Sequence, residues 1–139
     1  GELLNREGNK KIIGIDISSE MLDQAKVKDC YTSLIEADLT KKIPLENESI
    51  GAIVSAGTFT HGHVGAEAFD ELLRIVKPGG LFVLSINSKV FKKNGFEDKF
   101  LNIKNKISPP IFEEFNAHGK HEDKKFEEVK ILASIFRKN

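Results

Sequence analysis

The sequence has little cysteine, no net charge and no long apolar runs. Each of these features, when abundant, indicates a particular class of protein. Its single cysteine, Cys30, excludes an internal disulfide framework and is typical of a reducing compartment. Lys and Arg together number 21, as do Asp and Glu, so the formal net charge of zero gives no general electrostatic case for binding nucleic acid or an acidic membrane. We expect neither a signal peptide nor a membrane span, and a cytoplasmic or nuclear location.

Methionine is scarce as well. The only one, Met21, lies inside the chain, and the first residue is Gly1. Because a start at Met21 would discard the strand predicted just before it, we expect the sequence to be a processed, truncated or partial product. At 139 residues, with 40% hydrophobic and 30% charged residues, it is still long enough for one globular domain.

Short apolar runs alternate with amphipathic segments over most of the chain. We predict strands at residues 11–16, 31–37, 50–56 and 81–86, and helices at residues 2–7, 20–28 and 66–76. Residues 77–80, which read KPGG, are predicted to end the third helix with a tight turn. Strands that alternate with helices are typical of βαβ units, so the predicted class is α/β with a mainly parallel sheet.

The pattern loosens after residue 87. Apolar residues at helical spacing predict a helix over residues 96–107, and alternation over residues 129–135 predicts a final strand. The charged residues 117–128 are predicted to form a solvated loop, and residues 108–128 are too polar to supply an obvious penultimate strand. Four phenylalanines are expected to cover the sheet: Phe96, Phe100, Phe112 and Phe115.

Asp16 closes the first apolar strand and precedes a predicted helix. In nucleotide-binding α/β domains, an acid at the end of the second strand accepts hydrogen bonds from ribose hydroxyls. Asp16 could instead cap the following helix. Such an acid normally follows a first strand and a glycine-rich turn about 20 residues upstream. Because residues 1–11 are too few for both, we expect the chain to begin inside the first helix of its domain.

Three motifs, taken in order, resemble those of class I S-adenosylmethionine-dependent methyltransferases, in particular the groups known as methyltransferase types 11 and 25. They read IIGIDIS at residues 12–18, EADL at 36–39 and LLRIVKPGGL at 72–81. Residues 57–65, GTFTHGHVG, look like the methyltransferase-like proteins of the Williams-Beuren region type. The resemblance implies a Rossmann-like sheet, mainly parallel with an antiparallel C-terminal strand, that lacks the family's first strand and glycine loop. It also implies S-adenosyl-L-methionine as the cofactor.

The resemblance assigns the nucleoside part of that cofactor to the ends of the first two predicted strands. Asp16 would bind the ribose hydroxyls, and Ile17 would pack on the adenine ring. Asp38 would accept a hydrogen bond from the exocyclic amine of adenine, and Leu39 would flank the ring. Asp38 equally suits a turn, because Asp favours turn positions.

The end of the strand at residues 50–56 has the remaining site candidates. By the same resemblance, Ser55, Ala56 and Gly57 would lie beside the methionine part of the cofactor, although Gly57 could also be there for backbone reasons. His61 and His63 follow on a loop, where a histidine could remove a proton from an acceptor or simply shape the pocket wall. Two histidines do not complete a metal site, so no metal is expected.

We therefore expect one partial methyltransferase domain over residues 1–139. Residues 1–87 would form its cofactor-side half, and residues 88–139 its substrate side and C-terminal hairpin. The expected activity is methyl transfer to an unidentified small-molecule or protein acceptor. Two alternatives stay open: a truncated, non-catalytic remnant acting through partner contacts, and a nicotinamide-dependent oxidoreductase, against which the KPGG turn and the final strand argue.

Overall fold

The chain folds into two compact units, residues 1–44 and 45–139. The computed structural model describes residues 1–8, 11–117 and 129–139. The boundary between the units follows Pro44. The functional halves predicted to meet at residue 87 do not coincide with this division and stay a prediction.

The first unit contains a small parallel sheet with helices beside it. Its elements are α1 (Glu2–Arg6), β1 (Ile13–Asp16), α2 (Ser19–Val27) and β2 (Ser33–Glu36). β1 and β2 pair in parallel from Ile13↔Ser33 to Asp16↔Glu36, so their carboxyl ends are level. α2 begins after Ser18, whose Oγ accepts a hydrogen bond from the backbone N–H of Met21 at 3.3 Å. A serine at this position satisfies one of the unpaired donors of the first helical turn.

The second unit is built on a four-stranded sheet. Its elements are β3 (Ile50–Phe59), α3 (Ala68–Ile75), β4 (Val76–Asn87), α4 (Ser88–Phe91), α5 (Phe96–Asn102), β5 (Ile111–Asn116) and β6 (Lys130–Arg137). The strand order is β3-β4-β6-β5; β3 and β4 are parallel, and β6 is antiparallel to both of its neighbours. The parallel pairs and the antiparallel β6 confirm the predicted α/β class and C-terminal strand. Within the described ranges, no helix is long and apolar enough to cross a membrane.

Phenylalanine rings fill the core of the second unit. Phe69 of α3 is buried, and its ring centroid lies within 6.4 Å of four other phenylalanine rings. These rings belong to Phe59, Phe96, Phe100 and Phe136. Most of the contacts are edge-to-face, the arrangement that the ring quadrupole favours. α3 and α5 are thereby joined to the strands.

The prediction that four phenylalanines cover the sheet is half right. Phe96 and Phe100, on α5, are 0% and 7% exposed and do cover it. Phe112 and Phe115 are instead residues of β5 itself and remain 41% and 48% exposed. β5 is the last strand of the sheet among the described residues, so its side chains have neighbours on one side only.

Residues 108–128, which are too polar to supply an obvious penultimate strand, nevertheless contain one, β5. β5 pairs antiparallel with β6 from Ile111↔Ile135 to Asn116↔Lys130. Every residue of β5 is exposed, so this edge strand did not need the alternation of apolar and polar residues by which strands are recognised. The solvated loop predicted at residues 117–128 lies outside the described residues except for Ala117.

The KPGG segment does not form a separate turn between α3 and the next strand. α3 ends at Ile75, and β4 already begins at Val76. The pairing with β3 shifts between Ile50↔Val76 and Ala52↔Leu81, so residues 77–80 form an irregular stretch within β4. Gly79, with φ of +79°, permits this conformation.

Two further boundaries differ from the predicted ones. The helix predicted over residues 96–107 ends at Asn102, and Ile107 forms an isolated antiparallel bridge with Lys138 instead. β3 continues to Phe59, beyond the predicted end at Ala56. Both differences arise from pairing with distant strands, which local periodicity does not report.

Candidate functional site

Asp16 is the last residue of β1 and is half-buried. Its Oδ1 atom accepts a hydrogen bond from the backbone N–H of Ser18 at 2.9 Å. The N-cap of α2 is Ser18, so Asp16 is not the capping residue of that helix. Among the residues that the structure describes, Oδ2 of Asp16 has no hydrogen-bond partner. The carboxylate is thus held by one oxygen and presents the other as an acceptor.

Asp38 follows β2 and forms a tight turn with Thr40. Its Oδ1 accepts hydrogen bonds from the Thr40 hydroxyl at 2.6 Å and from the Thr40 backbone N–H at 2.9 Å. These bonds, the hydroxyl first, hold the pKa of Asp38 below its ordinary value, and the nearby Lys41 ammonium adds to the effect. Nζ of Lys41 lies 3.6 Å from Oδ2. The turn interpretation is therefore correct for the local geometry, and it keeps Asp38 ionised.

The two acids lie at the same edge of the first unit. Asp16 is paired with Glu36, and the backbone N–H of Ala37 donates to the carbonyl of Asp16 at 3.0 Å. The carboxyl ends of parallel strands meet at one edge of a sheet. The segments that begin with Ile17 and Asp38 therefore start close to each other at this edge. This edge is where open α/β sheets bind ligands.

The apolar residues beside the acids differ in exposure. Ile17 is 66% exposed, and several other large apolar side chains of the described residues, such as Leu3 and Val27, are exposed as well. Leu39 is half-buried. An exposed isoleucine directly after Asp16 offers apolar surface of the kind on which a flat aromatic ring packs.

In the second unit, the end of β3 has an unusual backbone. Gly57 has φ of +81°, a conformation that favours glycine, and its N–H donates to Oγ of Ser85 at 3.1 Å. The Ser55 hydroxyl donates to Oγ1 of Thr58 at 2.7 Å. Ala56 and Gly57 are exposed, and a Cβ placed on Gly57 would meet no atom within 4 Å. Both interpretations of Gly57 thus have support: the backbone needs a glycine, and the space beside it is open.

His61 and His63 lie in the turn after β3, and both are exposed. The backbone N–H of His63 donates to the carbonyl of Thr60 at 3.2 Å, which closes this turn. In the part of the chain that the structure describes, no group of three or more His, Cys, Asp or Glu residues could hold a metal ion. A proton-transfer role for either histidine stays a prediction.

The sequence interpretation missed Ser85, whose hydroxyl holds the backbone of Gly57. A signal was present, because Ser85 is the one polar residue in the apolar run at residues 81–86, LFVLSI. A polar side chain inside a buried strand needs a hydrogen-bond partner. The identity of that partner depended on the register between β3 and β4.

Comparison with known proteins identifies the family. A family model described as a methyltransferase domain matches residues 2–84, more than half of the chain. The chain belongs to the class I methyltransferase family. The chain is 36% identical over 84 residues to an uncharacterised methyltransferase-like protein of Schizosaccharomyces pombe, an alignment that covers 58% of the chain and 30% of that relative. The chain thus spans less than a third of the length of this curated relative.

Solved structures of methyltransferases resemble the whole chain. A TehB-like S-adenosylmethionine-dependent methyltransferase from Corynebacterium glutamicum gives a TM-score of 0.66 at 21% identity, with 100% of this chain and 73% of that chain covered. An S-adenosylmethionine-dependent methyltransferase from Mesorhizobium loti gives 0.64 at 17% identity, with 98% and 84% covered. At these identities the likeness concerns the fold.

The chemistry of the first unit fits the nucleoside part of S-adenosyl-L-methionine, the cofactor of this family. Asp16 offers a carboxylate oxygen for a ribose hydroxyl, and Asp38 offers an ionised acceptor for an amine. Ile17 offers exposed apolar surface for the adenine ring. These are the three kinds of contact that an adenosine requires.

Proposed function

We propose that this methyltransferase binds S-adenosyl-L-methionine and serves methyl transfer to a small-molecule or protein acceptor. One observation carries the proposal: the Asp16 carboxylate at the end of β1 is fixed through Oδ1, while Oδ2 has no partner among the described residues. A fixed acceptor can accept a hydrogen bond from a ribose hydroxyl without a further loss of side-chain freedom. Because the chain belongs to a methyltransferase family, the ligand that we propose for this acceptor is the cofactor S-adenosyl-L-methionine.

The other residues of the first unit complete the adenosine contacts. Asp38 is kept ionised by Thr40 and would accept a hydrogen bond from the exocyclic amine through Oδ2, the oxygen that Thr40 does not use. Ile17 and Leu39 would contact the ring. Charge on the acceptor strengthens such a bond relative to a neutral pair.

The end of β3 would receive the methionine part of the cofactor through Ser55, Ala56 and Gly57. The cofactor held there would supply an electrophilic methyl group: the acceptor's lone pair would bond to the methyl carbon as the carbon–sulfur bond breaks and its electrons stay on sulfur. The protein contributes by holding both reactants in line and keeping water out. His61 or His63 would take the proton that the acceptor loses.

Isothermal titration calorimetry with S-adenosylmethionine tests the proposal. We expect the wild-type chain to bind, and Asp16→Ala to weaken the affinity by about ten- to a hundredfold, the range for a hydrogen bond to a charged group. Asp23→Ala is the matched control, because Asp23 is exposed on α2 and its loss changes the net charge equally. The control variant should bind like the wild type.

Three outcomes would contradict parts of the proposal. Absence of binding at millimolar cofactor would contradict it as a whole. Thermal stabilisation by NADH instead of S-adenosylmethionine would favour an oxidoreductase. Binding without turnover on panels of small-molecule and protein acceptors would favour the non-catalytic alternative.

A further inference from the structure

The pairing of β3 with β4 is interrupted just where the methionine part of the cofactor is proposed to lie. Ser55 pairs with Leu84 and Phe59 pairs with Ile86. Between these pairs β3 has three residues, 56–58, whereas β4 has only Ser85. The two extra residues of β3 form a bulge, a feature that redirects a strand and is frequent beside active sites.

Side-chain hydroxyls hold this bulge where the backbone ladder is broken. The N–H of Gly57 donates to Oγ of Ser85 at 3.1 Å, and the Ser55 hydroxyl donates to Oγ1 of Thr58 at 2.7 Å. Gly57 has no side chain that could anchor the bulge by packing. The Ser85 bond therefore connects the centre of the bulge to the neighbouring strand.

Ser85 lies on a rigid support. β4 is the strand between β3 and β6, and Ser85 pairs with Ala133 of β6. The strands remain paired ahead of the bulge, from Ala52↔Leu81 to Ser55↔Leu84. Loss of the Ser85 hydroxyl would therefore release the bulge without separating the strands.

We infer that Ser85 is a positioning residue, which holds the N–H of Gly57 so that the backbone of residues 55–57 is ordered to receive the methionine part of the cofactor. The inference rests on the proposed function. Ordering this backbone before binding avoids an entropy cost at the moment of binding. The role requires only that the Ser85 hydroxyl accept one hydrogen bond, and no contact between Ser85 and the cofactor is needed.

The test compares Ser85→Ala with Ser85→Thr and Ser134→Ala. Threonine keeps the hydroxyl. Ser134 is the matched control, because it lies on β6, is buried, and donates to the carbonyl of Leu84 at 3.1 Å without touching the bulge. Hydrogen exchange of the Gly57 amide is measured by NMR, and the dissociation constant for S-adenosylmethionine is measured by calorimetry.

We expect Ser85→Ala to speed hydrogen exchange of the Gly57 amide by about tenfold and to leave exchange of the Ile53 amide unchanged. It should weaken cofactor binding by about five- to tenfold, as expected for one lost hydrogen bond. Ser85→Thr should behave like the wild type in both measurements. Ser134→Ala should lower the melting temperature and alter neither.

The outcomes separate this inference from the proposed function. If the wild type binds and Ser85→Ala binds equally well, the positioning role is overturned and the proposed function stands. Unchanged exchange at Gly57 also overturns it. A wild type that does not bind overturns both, and the exchange data then report on the bulge alone. Should Ser85→Ala not fold, Ser85→Cys keeps the volume and weakens the acceptor, with the same outcomes expected.

Discussion

Asp38 stabilises a turn through one carboxylate oxygen and leaves the other oxygen outside that turn. Thr40 donates two hydrogen bonds to Oδ1, whereas Oδ2 faces Lys41 at 3.6 Å. The pKa of Asp38 is lowered in the folded chain, chiefly by the Thr40 hydroxyl. Its contribution to stability is therefore present above the ordinary Asp pKa of about 3.9 and is lost as the pH falls through the lower folded value.

Replacement of the hydroxyl donor should make Asp38 a weaker acid. We expect Thr40→Val to raise the pKa of Asp38 towards its ordinary value, because the valine cannot donate to Oδ1. The measurement is an NMR titration of the Asp38 carboxyl carbon. Lys41→Met is the comparison and should raise the pKa less, since Nζ is farther away and the Lys41 side chain is 79% exposed. A larger effect of Lys41→Met would contradict the assigned cause.

At the scale of single residues, the sequence reveals groups whose position follows from a strand end. The positions of Asp16 and Asp38 could be predicted from the apolar runs before them: Asp16 is the last residue of β1, and Asp38 lies two residues after β2. Ser85 could not be assigned, because its partner Gly57 is 28 positions away and becomes its neighbour only through the shifted register of β3 and β4.

Among the secondary-structure elements, α3 connects the helices of the second unit to its sheet. Phe69 is 2% exposed and is surrounded by the phenylalanine cluster of the core. We expect Phe69→Ala to lower the free energy of unfolding by about 3–5 kcal/mol, the range for a large aromatic residue deleted from a core. Urea unfolding measures it. Phe115→Ala, on the exposed edge of the sheet, should cost much less, and equal costs would contradict the placement of the core.

Elements with a periodic or continuous apolar pattern in the sequence could be predicted, whether or not they bury a residue, and β5, which lacks such a pattern, could not. The predicted position of α3 is close to the observed one because the helix buries a periodic set of apolar residues. The predicted position of β6 is also close, although the alternating residues that predicted it, such as Ile131 and Ile135, are only half-buried. β5 has no buried residue, so its existence depends on hydrogen bonds to β6 rather than on its own pattern. The KPGG segment was predicted as a turn because proline and glycine favour turns. Both residues also suit irregular strands, which is where the structure places them.

In the molecule as a whole, the buried apolar residues are unevenly distributed between the two units. In the described part of residues 1–44 only Cys30 and Ile43 are buried apolar residues, whereas the described part of residues 45–139 contains seventeen. Neither α1 nor α2 buries a residue. The sequence predicted the α/β class and the family, because local patterns are sufficient for both. It did not predict this imbalance, which depends on which strands pair.

This imbalance predicts unequal local stability. We expect the backbone amides of β1 and β2 to exchange with solvent at least about tenfold faster than those of β4 and β6, because a two-stranded sheet with little buried apolar surface opens locally. Hydrogen exchange at several low urea concentrations checks this, and exchange from β1 and β2 should depend only weakly on urea. Equal protection and equal urea dependence in all four strands would instead mean that both units unfold in one cooperative step.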